Sequence, residues 1–441
     1  MSKTWSSHYL FILASIGSAV GLSNIWRFTY LAGANGGGAF VLVYLFSLLL
    51  MGIPILAAEM MLGRLGRKGM VGTLAVLAAR KELNPRWKIF GWVAMATVFT
   101  VLSFYCVIAG WTLDYTITSA VGLLNVTDKA SAKSAFDALM LSPARMTLGQ
   151  SGFILATVVI VGLGVQKGLE QSVRWMMPLL FGILVALVIY AAFTADMVRA
   201  IGYLFRPDFS KITPQVIMAA FGQAFFSLGI GVGVMLTYGA YMPERSRVLS
   251  SAVVIAFADG LASILAGLAI FPIVFQYGLS PGEGPGLIFQ TLPIAFAKMP
   301  GGFLAGSLFF LLLFMAALTS SISLLESIIT HLEEYRSRKV IAAASGICLW
   351  ILGLMSVFSF NSWSDVRPIA GKNLFELLDY LCSNLIMPVC GILMAVLTGW
   401  LLKKDTIRAE LGAEPLSFRV WYFLVRWVAP LALAGVFVSN A

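Results

Sequence analysis

The side chains best suited to chemistry in this sequence are oxygen donors placed inside long apolar stretches. Asn24, Ser227 and Asp259 lie in three different stretches, and a Thr-Ser-Ser run begins at Thr319 in a fourth. Hard cations such as Na⁺ prefer oxygen ligands, so a fold that brings these stretches together would create sodium sites. The competing interpretation is that serine and threonine hydroxyls donate to the carbonyl four residues earlier, which is common in membrane helices. That interpretation does not account for the carboxylate of Asp259.

Charged residues inside apolar stretches are a second group that needs an explanation. Each costs roughly 2.5–3.5 kcal/mol in a bilayer and therefore requires a partner or an aqueous cavity. Two of them, Arg27 and Asp379, are predicted near the outer ends of their stretches, where they would pair and close a cavity below. Arg27 could equally extend to the lipid headgroups, and both interpretations stay open. The charged residues concerned are Arg27, Glu59, Asp114, Asp259, Glu326 and Asp379.

These residues belong to a chain with the composition of an integral membrane protein. Of its 441 residues, 59% are hydrophobic and 11% are charged, and the mean hydropathy is +0.91. Soluble domains carry about 25% charged residues, so soluble enzymes, secreted scaffolds and nucleic-acid binders are excluded. One all-α membrane domain over 1–441 is predicted. Its eleven predicted spans are 8–32, 39–63, 89–123, 150–165, 169–193, 214–242, 248–277, 302–331, 340–360, 375–402 and 419–438.

The basic residues predict the orientation of the chain. With the N-terminus in the cytoplasm, the cytoplasmic segments hold roughly twice as many Lys and Arg residues as the outer segments, as the positive-inside rule requires. The net charge of +10 therefore sets topology and does not indicate a polyanionic partner. An odd number of spans then leaves the C-terminus outside.

Glycine-rich interruptions occur at corresponding places in the first and sixth spans, at 17–24 and 227–233. Each glycine weakens a helix by about 1 kcal/mol relative to alanine. Paired interruptions of this kind indicate a transporter site at the bilayer midplane, built from two inverted repeats of five spans. The repeats are predicted at about 8–193 and 214–402, with an additional span at about 419–438. The alternative is that the glycines only allow close helix packing.

Four segments resemble signature sequences of the neurotransmitter:sodium symporter family. They are GSAVGLSNIWRF at 17–28, NGGGAF at 35–40, GQAFFS at 222–227 and ALTSSI at 317–322. The similarity extends over nearly the whole chain, and the eleven spans are similar to those of the bacterial hydrophobic amino-acid transporters. The chain departs from the family at Ser23, where glycine is usual, and at Thr29, where proline is usual. An N-terminal arginine is also missing, and Lys3 is its possible substitute.

The resemblance implies two sodium sites. In the first, the substrate carboxylate would complete a set formed by the Ala19 carbonyl, Asn24, Ser227 and Asp259. The second would join the first span to the eighth. Its ligands would be the carbonyls of Gly17, Val20 and Ala316 and the hydroxyls of Thr319 and Ser320.

A substrate pocket, two gates and a helix that unwinds are also implied by the resemblance. The substrate-binding residues would be Ala19, Leu22, Ser23, Val101, Tyr105, Phe226, Ser227, Gly229, Val232, Ser321 and Leu324. The outer gate would be formed by Arg27, Gln223 and Asp379, and the inner gate by Tyr241 and Glu334. Gly168 and Pro178 would let the cytoplasmic end of the fifth span unwind.

The function implied is sodium-coupled symport of neutral hydrophobic or aromatic L-amino acids across the inner (plasma) membrane by alternating access. Chloride would not be required, because Asp259 supplies a fixed negative charge and Ser263 follows one helical turn later. The expected partners are the amino-acid substrate and the lipid bilayer, without nucleic acid, and the oligomeric state stays open. A sodium-dependent amino-acid receptor or a leaky channel is the alternative. A membrane enzyme is a third class, but no Cys/His, Ser/His or acidic metal constellation shares a predicted face.

Overall fold

The structure is a computed structural model that describes residues 4–124, 126–281 and 286–440. Within these ranges the regular structure is helical, and no β-strand is formed. Nine helices are long and apolar enough to cross a bilayer, and two further helices bent by 51° make another crossing. An additional segment is divided into Pro214–Ser227 and Val234–Ala240, each too short to cross alone. The predicted all-α membrane fold with broken first and sixth spans is therefore confirmed.

We number the spans along the chain and use a and b for the halves of a broken span. They are span 1a His8–Ala19, span 1b Ser23–Ala34, span 2 Gly38–Gly66, span 3 Pro85–Ala120, span 4 Pro143–Gly162, span 5 Val165–Thr194, span 6a Pro214–Ser227, span 6b Val234–Ala240, span 7 Val248–Gln276, span 8 Gly302–Leu332, span 9 Arg338–Ser359, span 10 Leu374–Leu401 and span 11 Pro415–Ser439. Shorter helices connect them at Met70–Ala79, Lys129–Met140, Met197–Phe205, Leu287–Lys298 and Lys404–Leu411.

The largest difference from the predicted boundaries is the start of span 4. The sequence predicts a start at 150, whereas the helix begins at Pro143. The Ser142 hydroxyl caps it by accepting from the Arg145 amide at 3.3 Å, and proline suits the first helical turn. The Arg145 guanidinium lies 2.7 Å from the Asp114 carboxylate. The helix therefore continues past a charge that the hydropathy pattern treats as a boundary, and Asp114 gains the partner it requires.

Span 6 breaks at three glycines with left-handed backbone angles. The φ values are +60° at Gly229, +96° at Gly231 and +82° at Gly233, a region that other L-residues rarely adopt. The freed amides meet the buried carboxylate of Glu59 in span 2. One oxygen accepts from the Gly231 amide at 2.5 Å and from Gly233 at 3.3 Å, and the other accepts from Met235 at 3.2 Å. Glu59 thereby satisfies donors that neither a helix nor lipid would satisfy.

Span 1 breaks at Val20, whose backbone is extended with φ −73° and ψ 104°. After the break, the Gly21 amide donates to the Asn24 side-chain oxygen at 2.9 Å. The Asn24 side chain therefore reaches back from the first turn of span 1b and satisfies an amide that the break leaves free.

The spans pack in two groups. Spans 3, 4, 8 and 9 contact one another, and spans 1, 2, 6 and 7 contact one another around the two breaks. Span 5 packs against spans 1a, 7 and 8, while span 11 packs against spans 6a and 10. The two breaks thus lie at the boundary between the groups.

Spans 2 and 6b approach so closely that their backbones touch. A Cβ atom added to Gly63 would overlap the carbonyl oxygen of Leu236, and one added to Gly239 would overlap the carbonyl oxygen of Met60. Small residues at a helix interface permit this approach in membranes. The contact fixes span 6b on span 2, next to Glu59.

We predict that Gly63→Ala destabilises the protein, because the new methyl group has to separate two backbones. Overpacking of this kind costs about 1–3 kcal/mol, so a clear fall in the apparent melting temperature in detergent is expected. Gly182→Ala on span 5 is the matched control, since a Cβ atom there meets nothing within 4 Å. Equal melting temperatures for both variants and the wild type would contradict the prediction.

Candidate functional site

A buried polar cluster lies where spans 1b, 2, 6a and 7 meet. The carboxylate of Asp259 accepts from the Asn24 amide nitrogen at 2.7 Å and from the Tyr44 hydroxyl at 2.9 Å. The Ser227 hydroxyl donates to the same carboxylate. Ser263 completes the cluster, with its hydroxyl 3.0 Å from the Asn24 amide nitrogen and 3.1 Å from the Tyr44 oxygen. The structure therefore brings together three side chains that the sequence analysis assigns to the first sodium site.

This cluster has the donor chemistry of a site for a hard cation. It combines a carboxylate, an amide oxygen and hydroxyl groups, and each side chain is at most 3% exposed. A hydroxyl can either donate to Asp259 or turn a lone pair toward a cation. The sequence analysis missed Tyr44. A tyrosine in the middle of an apolar span needs a partner for its hydroxyl, and that requirement is the signal that could have identified it.

The ligands predicted for the second sodium site lie on facing sides of spans 1a and 8. The Ser320 hydroxyl is 3.4 Å from the Ser18 carbonyl oxygen, and a Cβ atom on Gly17 would lie 3.5 Å from the Thr319 Cβ. The Thr319 hydroxyl also donates to the carbonyl four residues earlier, that of Met315 at 3.2 Å, as the alternative interpretation proposes, and it lies 3.0 Å from the Ala316 carbonyl. The predicted ligands thus meet at one junction, where Val20 is fully buried as well.

A cavity of about 410 Å³ lies beside the two breaks. Its size falls in the range of about 300–1,000 Å³ that is usual for small-molecule sites. The predicted substrate-binding residues on its wall are Ala19, Leu22, Ser23, Val101, Tyr105, Phe226, Ser227, Gly229, Val232 and Leu324. Ser321 is not on the wall, because its hydroxyl faces span 4 and lies 2.8 Å from that of Thr157. Its neighbour Ser320 lines the cavity instead.

The wall of this cavity is mostly apolar, with polar groups at few points. Arg27 and Asp379 are the charged side chains among its described lining residues. The buried hydroxyl of Tyr105 makes no hydrogen bond of good geometry with a described residue, although the Ser320 hydroxyl and the Leu22 amide lie near it. An unsatisfied buried donor costs about 1–3 kcal/mol, so this hydroxyl is suited to a ligand that accepts a hydrogen bond.

The predicted outer-gate residues share one end of the cavity without forming an ion pair. The Arg27 guanidinium lies 4.3 Å above the Phe226 ring, and Asp379 accepts from the Ser383 hydroxyl at 2.8 Å. Among the described residues neither charge has an oppositely charged group within 4.0 Å. Gln223 donates to the Ser23 carbonyl at 3.0 Å and so ties span 6a to span 1b.

The segment before span 1a lies at one end of the helical bundle, which we call the N-terminal end, and is held there by hydrogen bonds. The amide of Trp5 donates to the Tyr241 carbonyl at 3.0 Å, and its indole donates to the Tyr238 carbonyl at 3.3 Å. The Trp5 side chain is 3% exposed. The amide and hydroxyl of Ser6 each lie 2.7 Å from the Glu170 carboxylate at the start of span 5. The segment before span 1a therefore contacts both span 6b and span 5.

At the same end, Tyr241 pairs with a different carboxylate from the predicted one. Its hydroxyl donates to Glu326 at 3.0 Å, and Glu326 forms an ion pair with Arg338. Glu334 instead pairs with Lys68 at 2.7 Å. Glu326 lies on the buried face of span 8, whereas Glu334 follows the end of that helix and is partly exposed. The expected Tyr241–Glu334 contact is corrected accordingly, and Lys3, the possible substitute for the missing arginine, lies outside the described residues.

Gly168 and Pro178 both lie in span 5 as the sequence analysis expects. Gly164, which precedes the span, has φ +94°, and the first turn at Val165–Glu170 is wide. A Cβ atom on Gly168 would overlap the Ile160 carbonyl of span 4, so glycine is needed there for close packing. Pro178 stands inside the following regular helix, where it removes one hydrogen bond.

The match to a known family decides the identity. Residues 2–134 and 141–441 match the family model described as Sodium:neurotransmitter symporter family. The chain belongs to this family. It is 37% identical over 443 residues to the sodium-dependent transporter YhdH of Bacillus subtilis, covering 99% of this chain and 97% of that protein. It is 34% identical over 451 residues to a sodium-dependent transporter of Haemophilus influenzae, covering 99% and 98% respectively.

Solved and eukaryotic relatives agree with this assignment. The crystal structure of MhsT in complex with L-phenylalanine superimposes with a TM-score of 0.91 at 39% identity, covering 100% of both chains. The human sodium- and chloride-dependent creatine transporter 1 is 26% identical over 504 residues, covering 99% of this chain and 76% of that protein. This symporter is therefore a multi-pass membrane protein and a sodium-dependent transporter of a small molecule, not an enzyme.

We predict that Arg338→Gln loosens the N-terminal end, because it leaves the buried carboxylate of Glu326 without its cation. Breaking a buried ion pair costs about 3–5 kcal/mol. The measurement is the labelling rate of Thr237→Cys, at a fully buried position of span 6b, by a water-soluble thiol reagent in a Cys348→Ser background. Several-fold faster labelling is expected.

The matched control for this experiment is Lys339→Gln, which removes an exposed cation one residue further along. Its labelling rate should equal that of the parent protein. Equal rates for Arg338→Gln and Lys339→Gln would show that the ion pair does not hold this end closed.

Proposed function

We propose that this symporter carries neutral hydrophobic and aromatic L-amino acids into the cell together with sodium. The observation that supports the proposal most is the position of the mostly apolar cavity, beside both helix breaks and against the Asp259 cluster. Ser227 belongs both to that cluster and to the cavity wall. A substrate group in the cavity would therefore be close enough to share a cation with Asp259.

The α-carboxylate of the substrate would bind at the start of span 1b. The hydroxyl of Tyr105 lies beside this place, near Gly21 and the Leu22 amide, and the positive end of the span 1b helix dipole favours an anion. The ammonium group would face the carbonyl end of span 6a near Phe226 and Ser227, where the dipole has the opposite sign. The hydroxymethyl group of Ser23, in place of the usual glycine, would lie beside the carboxylate.

Two sodium sites are part of the proposal. The first would use the Ala19 carbonyl, Asn24, Ser227, Asp259 and the substrate carboxylate. The second would use the carbonyls of Gly17, Val20 and Ala316 and the hydroxyls of Thr319 and Ser320. The hydrogen bonds already formed around Asp259 and between spans 1a and 8 support this assignment.

The side-chain part of the cavity sets the substrate class. Val101, Val232 and Leu324 are apolar, and a Cβ atom on Gly229 would meet nothing within 4 Å, so there is room for a large ring. These residues carry no charge, so a charged substrate side chain packed against them would lose its water without finding a partner, at a cost of several kcal/mol. L-Phenylalanine bound to the similar protein MhsT supports the inclusion of aromatic substrates.

Alternating access would arise from movement between the two groups of spans. We propose that spans 1, 2, 6 and 7 rock against spans 3, 4, 8 and 9. The chain would consist of two repeats at about 8–193 and 214–402, with span 11 at about 419–438 as an addition. Arg27, Gln223 and Asp379 would close the outer end. Unwinding of span 5 between Gly168 and Pro178 would release the second sodium ion to the cytoplasm. The protein would lie in the inner (plasma) membrane, with its N-terminus in the cytoplasm and its C-terminus outside.

Uptake into proteoliposomes tests this proposal. An inward sodium gradient should drive accumulation of labelled leucine or phenylalanine, and replacement of sodium by choline should abolish it. Acidic and basic amino acids should compete at least about a hundredfold more weakly than leucine, because their side-chain charge is desolvated. Binding without accumulation would instead favour a receptor. Uptake that is equal in sodium and in choline would refute the coupling of transport to sodium.

Variants of the same protein distinguish substrate binding from sodium binding. Tyr105→Phe should raise the half-saturating substrate concentration about 10- to 100-fold, because a hydrogen bond to a charged group is lost. The double change Thr319→Ala and Ser320→Ala should abolish accumulation by removing two sodium donors. Ser307→Ala is the matched control, since this serine lies on span 8 away from the cavity and donates to the Phe303 carbonyl.

We also predict that transport does not require chloride. Asp259 already carries a negative charge at the place where a chloride ion would balance sodium, and two negative charges a few ångströms apart repel each other. Wild-type uptake should be unchanged when gluconate replaces chloride, whereas Asp259→Asn should become chloride-dependent, with Ser263 helping to hold the ion. A fall in wild-type uptake in gluconate would disprove the prediction.

A further inference from the structure

Span 11 contains an arginine whose charge is not balanced by any described carboxylate within ion-pair distance. Arg426 lies roughly 16 Å along the helix from Pro415, at 1.5 Å per residue. Its guanidinium donates to the Tyr422 hydroxyl at 3.1 Å, and its Nε is buried without a partner. A guanidinium charge within a span requires compensation, and one hydrogen bond to a neutral phenol leaves it undercompensated.

The surroundings of Arg426 are aromatic. Its guanidinium carbon lies 4.3 Å from the ring centroid of Trp400, 5.7 Å from that of Tyr422 and 5.8 Å from that of Trp427. The Trp400 indole donates to the Arg426 carbonyl, and the Tyr422 hydroxyl donates to the Gly399 carbonyl, each at 3.1 Å. Spans 10 and 11 therefore hold the guanidinium in a fixed position and leave its remaining donors available.

Arg426 lines a second cavity, which we call the basic pocket. It has a volume of about 260 Å³, and its described lining residues include three cations and no acidic side chain. Lys404 and Arg419 stand at its rim, and both side chains are exposed. The lining residues are Lys404, Phe418, Arg419, Tyr422, Phe423, Arg426 and Trp427.

We propose that the basic pocket binds the phosphodiester headgroup of an anionic glycerophospholipid. Its phosphate oxygens would accept from Arg426 and from the rim cations, as basic pockets between membrane helices do with lipid headgroups. The pocket lies at the N-terminal end, because the helix that begins at Lys404 contacts span 2 through the Arg64–Glu410 ion pair. The lipid would therefore belong to the leaflet on that side.

The side chains around the pocket favour a lipid over a free phosphate ion. Phe423 is 57% exposed, and Trp400 and Trp427 are each 45% exposed, although all three belong to spans. In a bilayer their open faces meet acyl chains, and tryptophan is typical of the headgroup level. A free phosphate would use the cations only, whereas a phospholipid would use the cations and this apolar surface together.

Native mass spectrometry of the purified symporter tests the proposal. The protein is exposed to equal amounts of phosphatidylglycerol and phosphatidylcholine with identical acyl chains, and the ratio of the retained lipids is measured. The wild type should retain phosphatidylglycerol preferentially. Arg426→Gln should lower the ratio roughly fivefold, as expected for one interfacial cation. Arg336→Gln, an exposed arginine on the loop between spans 8 and 9, is the matched control and should leave the ratio unchanged.

The rim variants keep the test decisive if Arg426→Gln does not fold. Lys404→Gln and Arg419→Gln alter exposed side chains and should each lower the ratio roughly fivefold as well. Equal retention of both lipids by the wild type would overturn the proposal, as would an unchanged ratio in the rim variants. Displacement of phosphatidylglycerol by millimolar inorganic phosphate would also overturn it, by assigning the pocket to the free ion. None of these results depends on the transported substrate.

Discussion

The carboxylate of Glu59 makes the broken sixth span possible in a bilayer. Lipid offers no hydrogen bonds, so every amide released by unwinding must find a partner inside the protein. Glu59 accepts from the amides of Gly231, Gly233 and Met235, within and after the glycine turn, and comes from span 2, which the glycine contacts fix against span 6b. With the break held open in this way, the end of span 6a faces the cavity and delivers Ser227 to the Asp259 cluster. The cavity and the cluster both depend on this one side chain.

Charge compensation explains why the buried acids adopt different surroundings. Asp259 is surrounded by neutral donors, which suits the proposed exchange of these donors for a cation. Glu326 is held by the guanidinium of Arg338 and by Tyr241, which keeps the N-terminal end closed in this structure. Arg27 and Asp379 border the cavity without pairing. Buried charge is thus compensated by neutral donors at Asp259 and by an ion pair at Glu326, whereas Arg27 and Asp379 remain unpaired beside the cavity.

Much of this architecture could be predicted from the sequence, because the bilayer imposes simple rules. The spans follow from hydropathy, and the two breaks follow from glycine runs in otherwise apolar helices. Side-chain direction could not be predicted equally well. Consecutive helical residues point about 100° apart, so a motif that contains Ser320 and Ser321 does not reveal which of them faces the cavity. The Tyr241–Glu326 contact and the role of Tyr44 were missed because they join distant spans, and their geometry depends on how those spans pack.

The way in which Trp5 and Ser6 are held has a practical consequence for engineering the protein. Their contacts use two backbone amides, an indole and a hydroxyl, and they join span 6b to the start of span 5. A bulky fusion partner attached directly before Trp5 would compete for the space in which these groups meet, and a short extension would alter the path of the backbone. Purification handles and fluorescent reporters therefore belong away from this segment.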